Sequence, residues 1–194
     1  MARPNLKKTI ANYSKGNDLF LQRTDNKVYI SDGYTIITVP VPIYETYFCP
    51  TSPRFPFLSE SQKVLTHSKK ELPTQDGVEL TKLFPKWGGE QIQRLKIAIV
   101  ISISDSYFAE VFRCGKELIY LNSKYVAIAH EMAMFCGQSE EVFNASFVSA
   151  VVLQSGTLKS SPVIWNWEDN FSMMILPVNY HNDWVVALDE VDKH

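Results

Sequence analysis

Few residues in this chain have the types and spacing that chemistry needs. His130-Glu131 opens like a zinc-protease helix, whose ligand pair needs a second histidine four residues after the first. Position 134 is Met134, so the metal reading fails. His67, His181 and His194 fall in loop or tail, away from Asp, Glu or Cys at ligand spacing. Ser155 precedes Gly156 but lacks the glycine two residues earlier on which a nucleophile elbow turns. Cys114, beside Gly115-Lys116, sits where a hairpin turn is wanted, and one basic neighbour does not make a reactive thiolate. Gly88-Gly89 belongs to no phosphate-cradling pattern. Asp32, Asp105, His130 and Glu131 are the candidates left for an enzyme assembled only by folding, and no base, nucleophile and orienting group can be grouped from them. The expectation is a non-catalytic protein with no metal and no cofactor.

Binding chemistry has more to work with. Arg3, Lys7, Lys8 and Lys15 form the best basic cluster, on the first predicted helix. A solvated helix face explains such a run; contact with a nucleic-acid backbone is the functional alternative, since it needs little beyond charge on a rigid face. Trp165-Asn166-Trp167 puts two indoles on one strand face, as a stacking platform for bases or, the favoured reading, as packed core. The whole chain is balanced, with 19 Lys and Arg against 21 Asp and Glu, which argues against a general nucleic-acid coat or a polybasic membrane binder.

The elements that must position these residues follow from periodicity. A chain of 194 residues buries about 70% of its unfolded surface, enough for a core without staples. Pro4 suits the first turn of a helix in which Leu6, Ile10 and Tyr13 share a face, and Gly16 is placed to stop it. Short extended runs follow at 19–23, 27–31 and 34–39, separated by Thr24-Asp25-Asn26 and Asp32-Gly33 turns. Residues 40–90 are broken by prolines and read as a Pro- and aromatic-rich insertion that packs down, with one short helix near 78–84. Residues 94–103 alternate strictly and predict one long strand, followed by strands at 107–113 and 117–121. Asn122 or Ser123 caps a second helix, with Tyr125, Ile128, Ala129, Met132 and Cys136 on one stripe and Gly137 at its end. Strands at 146–154, 162–168 and 171–178 close the sequence, before a polar tail at 179–194 that holds the apolar run Trp184 to Leu188.

The expected architecture is α+β: two helices on largely antiparallel sheet, with pseudo-twofold repetition possible. Residues 1–178 form one domain, made of 1–39, the insertion 40–90 and 91–178. Cys49, Cys114 and Cys136 lack metal or CxxC spacing and are expected to be buried thiols in a reducing compartment. No stretch has the apolar length of a secretory signal or a membrane span, so the expected location is cytoplasmic.

Several short motifs resemble the bacterial replicative sliding clamp, the beta subunit of DNA polymerase III. Ile30-Ser31-Asp32-Gly33-Tyr34-Thr35-Ile36 is similar to a strand turn of that family. Leu121-Asn122-Ser123-Lys124-Tyr125-Val126 resembles its helix start, and Ser161-Pro162-Val163-Ile164 with Met174-Ile175-Leu176-Pro177-Val178 resembles its closing hairpin. The resemblance implies a DNA-clamp-like fold and a non-catalytic role as a processivity-type factor, adaptor or decoy. Its implied partners are double-stranded DNA and replication proteins or peptides carrying clamp-binding motifs. Ser31, Gly33, Tyr34 and Ile36 match the peptide-pocket turn, and Leu176, Pro177 and Val178 its C-terminal wall. Arg3, Lys7, Lys8, Lys15 and Lys124 take the DNA-facing role. Thr35 and Asn179 stand where the family usually has arginine. A clamp chain has three such domains, so encirclement by this one needs a homo-oligomer. The small size fits a phage or mobile-element protein. The competing expectation is a regulatory or inhibitor protein that binds its partner through the stretch from Phe48 to Trp87, from which residues 50–75 could be deleted with folding preserved.

Overall fold

The computed structural model describes residues 5–68, 78–83, 90–94, 100–105, 107–114, 117–137, 148–150, 162–167 and 171–178. The chain divides into two compact units. The first comprises Met1–Lys86, Glu131–Gln138 and Asn166–Met174; the second comprises Trp87–His130, Ser139–Trp165 and Ile175–His194. The ladders whose register is described are antiparallel, and with the helices they make the chain α+β.

The first unit opens with α1 (Leu6–Tyr13). Its N-cap is Asn5, whose Oδ1 accepts the Lys8 amide at 3.0 Å, so Pro4 precedes the cap instead of filling the first turn. Leu6, Ile10 and Tyr13 are buried along one face, as their spacing implies. Strands β1 (Leu19–Arg23), β2 (Lys27–Ser31) and β3 (Thr35–Pro40) form the expected meander. The buried run of β3 includes Thr38, whose hydroxyl pairs with that of Ser172 on β11 (Phe171–Ile175), the neighbouring strand. Two buried hydroxyls thereby satisfy each other where neither reaches water.

Residues 40–83 hold more structure than their prolines suggest. Helix α2 (Val41–Ile43) runs into a π-helical turn, Tyr44–Phe48, that places aromatic rings inward. Tyr44 stacks on Phe48 at 5.8 Å between centroids, and Phe55 meets Phe48 edge-on at 5.4 Å. All three rings are essentially inaccessible, and the Tyr44 hydroxyl donates to the Pro56 carbonyl at 2.8 Å. Arg54 donates to the carbonyls of Ser14, Asn17 and Thr66, tying the segment to the end of α1 and to β4 (Lys63–Thr66). Strand β4, which the proline-rich reading missed, pairs with β1 from Leu19↔Thr66 to Gln22↔Lys63. Helix α3 (Leu80–Leu83) lies within the predicted 78–84 helix and buries Leu80. Buried Gln22 accepts the Thr81 amide at 3.2 Å and donates to Glu79, to which Lys63 and Thr81 also donate. The Lys63 hydrogen bond, with help from Thr81 and Gln22, pulls the Glu79 carboxyl down to about 2.

In the second unit, β5 (Glu90–Arg94) and β6 (Val100–Ser104) both pair with β7 (Tyr107–Cys114). Of the single strand expected over 94–103, Arg94 falls in β5 and 100–103 in β6, while 95–99 lie outside the described residues. Arg94 stands opposite Phe112 and Val100 opposite Glu110, so six residue steps on one side meet two on the other, which no continuous ladder allows. Strand β8 (Glu117–Asn122) pairs with β7 along Ala109↔Asn122 to Cys114↔Glu117. Ala109, Val111, Leu118 and Tyr120 form a core cluster against which Ile101, Ile103 and Val178 pack. Strand β9 (Val148–Ala150) pairs with β5 and with β10 (Val163–Trp167). Helix α4 (Ser123–Phe135) starts at a cap now assigned to Asn122, whose Oδ1 accepts the Lys124 amide at 2.9 Å, and ends before Gly137. Trp165 and Trp167 are buried, which favours core over a stacking platform. In the first unit, Cys49 and Cys136 are half-buried instead of fully enclosed, and burial pushes the Cys49 thiol up to about 11. The run from Trp184 to Leu188 lies outside the described residues.

Residues 50–75 therefore cannot be removed with folding preserved, because they contain Arg54, Phe55 and β4. Phe55→Ala is expected to cost about 3–5 kcal/mol by urea denaturation, as core phenylalanines do. A loss below about 1 kcal/mol, in the range of surface substitutions, would mean the segment merely lies on the surface.

Candidate functional site

The turn between β2 and β3 is built around one carboxylate. Asp32, 5% exposed, accepts the Tyr34 amide at 3.1 Å, the Thr35 amide at 3.0 Å and the Thr35 hydroxyl at 3.0 Å, all on Oδ1. Its Oδ2 faces the Asn17 amide nitrogen at 3.4 Å. Gly33 supplies the left-handed backbone, φ +89°, and its amide donates to Ser31 Oγ at 3.1 Å. Ser31 and Ile36, paired across the ladder, are buried, so Gly33 and Tyr34 alone among the four predicted turn residues are exposed. Tyr34 is 59% exposed while its backbone is held by Asp32.

The same network reaches α1. Tyr13 lies 2.7 Å from Thr35 Oγ1. The one hydroxyl hydrogen of Thr35 goes to the Asp32 carboxylate, so Tyr13 donates and the chain runs Tyr13 to Thr35 to Asp32. On the opposite face, Lys7 and Lys8 are exposed, and exposed Lys15 follows the helix with Nζ 3.4 Å from Asn12 Oδ1. The helix itself carries no acidic residue. The nearby carboxylate of Asp18 is engaged by the Ser68 amide at 2.8 Å and by His67 Nδ1 at 3.0 Å, and its pKa is lowered chiefly by the Ser68 hydrogen bond.

The other predicted positions are placed as follows. Arg3 and Asn179 lie outside the described residues. Lys124 is exposed in the first turn of α4, its ammonium 5.4 Å from the centre of the Tyr125 ring. Leu176, Pro177 and Val178 belong to the second unit, where Leu176 is 39% exposed and the Val178 amide donates to the Tyr120 carbonyl at 2.7 Å. The pocket turn belongs to the first unit. Of the enzyme candidates, Asp32 is occupied by the turn, Asp105 is exposed after β6, and His130 and Glu131 are half-buried on α4. Ser155, His181 and His194 lie outside the described residues. Among the described residues, no three His, Cys, Asp or Glu side chains gather as a metal requires, and no helix is long and apolar enough to cross a membrane.

Sequence reasoning found the Asp32-Gly33 turn but missed Tyr13 and Thr35 as the links that join it to α1. The available signal was a hydroxyl residue three positions after an aspartate, the spacing at which both its amide and its side chain reach the carboxylate. Buried Thr35 completes a hydrogen-bond chain that an arginine side chain at this position would displace.

Against known proteins, the chain matches no family model, no curated protein and no solved structure.

Asp32→Ala should destabilise the protein by about 2 kcal/mol, because two buried or half-buried amides and a hydroxyl lose their acceptor. Tyr34→Ala should stay within about 0.5 kcal/mol of the parent, since the exposed ring is not part of the network. Denaturant titration of the two variants checks both, and equal losses would show that the turn is held by Tyr34 packing instead.

Proposed function

We propose that this chain is a non-catalytic, sliding-clamp-like binding protein of the replication machinery. In this reading α1 faces the phosphates of duplex DNA and the Tyr34 turn takes a short apolar peptide from a replication protein. The observation that carries it is the coupling of two exposed features through one hydrogen-bonded network. Lys7 and Lys8 stand outward on the helix whose inward Tyr13 holds the turn that presents Tyr34. A phosphate-binding face needs cations with no competing anion beside them, and α1 carries Lys7 and Lys8 and no acidic residue. An exposed aromatic on a locked turn meets a partner at low entropic cost, because its backbone is already ordered.

The order of elements gives further support. Among the described residues, α1 precedes β1, β2 and β3, and α4 precedes β9, β10 and β11. The last strands of the two sets, β3 and β11, are neighbours joined through Thr38 and Ser172. A second reading, binding through the 48–87 stretch, draws on Phe57, which is 72% exposed. It loses Phe48 and Phe55 as contacts, since both are core.

Fluorescence anisotropy with a labelled duplex tests the DNA role. The Lys7→Glu, Lys8→Glu double variant should weaken binding and lower the salt slope by about 2, one released counterion for each lost phosphate contact. Tyr34→Ala should leave DNA binding intact and weaken a clamp-motif peptide by about tenfold. DNA binding indifferent to both lysines would exclude α1 as the contact, and peptide binding lost on Phe57→Ala but not on Tyr34→Ala would favour the second reading.

A further inference from the structure

Asp32-Gly33 is a pair whose peptide bond can rearrange. Glycine has no Cβ to shield its nitrogen, so that nitrogen can reach the carboxyl carbon of a preceding aspartate. The Gly33 nitrogen attacks Asp32 Cγ, with the side chain in its carboxylic-acid form. The N–Cγ bond forms, and one carboxyl oxygen leaves as water with the acid hydrogen and the amide hydrogen, closing a five-membered succinimide. Water then opens the ring. Cleavage of the new N–Cγ bond restores aspartate, whereas cleavage between the nitrogen and the Asp32 α-carbonyl carbon leaves isoaspartate, its main chain running through Cβ and Cγ. The water released and the water taken up balance, and no oxidant or reductant enters.

Space does not prevent this reaction at the turn between β2 and β3. Gly33 is exposed, and nothing lies within 4 Å of where a Cβ on it would stand. Hydrogen bonds oppose it instead. Asp32 is 5% exposed, with Oδ1 accepting the Tyr34 amide, the Thr35 amide and the Thr35 hydroxyl, and Oδ2 facing Asn17. The Gly33 amide hydrogen, which must leave, is donated to Ser31 Oγ at 3.1 Å. Ring closure removes one carboxyl oxygen and swings the other round the Gly33 nitrogen, so the network must open first, and its opening equilibrium limits the rate. Isoaspartate lengthens the backbone by one atom and moves the carboxylate onto Cα. Tyr34 then loses the acceptor that holds its amide.

We propose that Asp32 is a site of isoaspartate formation held dormant by the Asp32–Thr35–Tyr13 hydrogen bonds, so that prolonged opening of the turn is fixed covalently. The inference follows from the chemistry of the turn and does not depend on the DNA or peptide reading. The full chain is incubated at neutral pH, folded in buffer or unfolded in guanidinium chloride, and isoaspartate is quantified in tryptic peptide 28–54 by chromatography and mass spectrometry. A second Asp-Gly pair, Asp76-Gly77 in peptide 71–82, reports that the chemistry proceeds in the unfolded sample. Asp32 should isomerise at least about tenfold more slowly folded than unfolded, because buried hydrogen bonds must break before the ring can close. Thr35→Val removes one donor to Asp32 and the acceptor of Tyr13; it should abolish most of that protection when folded and match the parent rate when unfolded. If circular dichroism shows the valine variant unfolded in buffer, Tyr13→Phe is read in its place, with a smaller acceleration expected. Equal rates in folded and unfolded parent overturn the proposal, and so does an unfolded chain in which Asp76 isomerises and Asp32 does not. Protection unchanged in the folded variant would also overturn it, since the Thr35 and Tyr13 hydroxyls would then not be what restrains Asp32.

Discussion

The Asp32 carboxylate is the constraint on which the first unit is organised. It accepts two amides and a hydroxyl within a single turn, and through Thr35 and Tyr13 it fixes a helix to that turn. A buried carboxylate is costly unless its acceptors are filled, so the turn, the threonine and the helix are mutually required. At the rim of this network Tyr34, Lys7 and Lys8 are exposed.

The Pro-rich stretch follows the same economy. Tyr44, Phe48 and Phe55 form an aromatic core, while Arg54 satisfies three carbonyls from separate parts of the unit. Prolines here set the path of a segment that is packed on one side and partly exposed on the other. Burial shifts the Tyr44 hydroxyl to a raised pKa, consistent with a phenol locked against the Pro56 carbonyl and taking no part in acid-base chemistry.

Much of this fold was legible where periodicity was strong. The meander β1 to β3 and the stripe on α4 follow from apolar spacing and turn residues, because local propensity and burial agree there. Strand β4 was hidden because Lys63 to Thr66 is only four residues long and earns its place through pairing with β1, a non-local contact. Alternation at 94–103 identifies the two faces of a strand but carries no record of register: Arg94 and Val100 pair with β7 four residues out of step with one continuous ladder. At the candidate site, Gly33 and Tyr34 were readable from turn chemistry. Tyr13 and Thr35 were not, since a link 22 residues apart in sequence appears only after the helix has docked.

In the proposed clamp-like reading, a chain of 194 residues surrounds a duplex only by associating with further copies. Its solution mass, measured by light scattering over a range of concentrations with and without duplex DNA, tests that claim most directly. The account predicts a multimer that takes up duplex as one complex of defined mass. A monomer at every concentration, with no shift in mass when DNA is added, would contradict it.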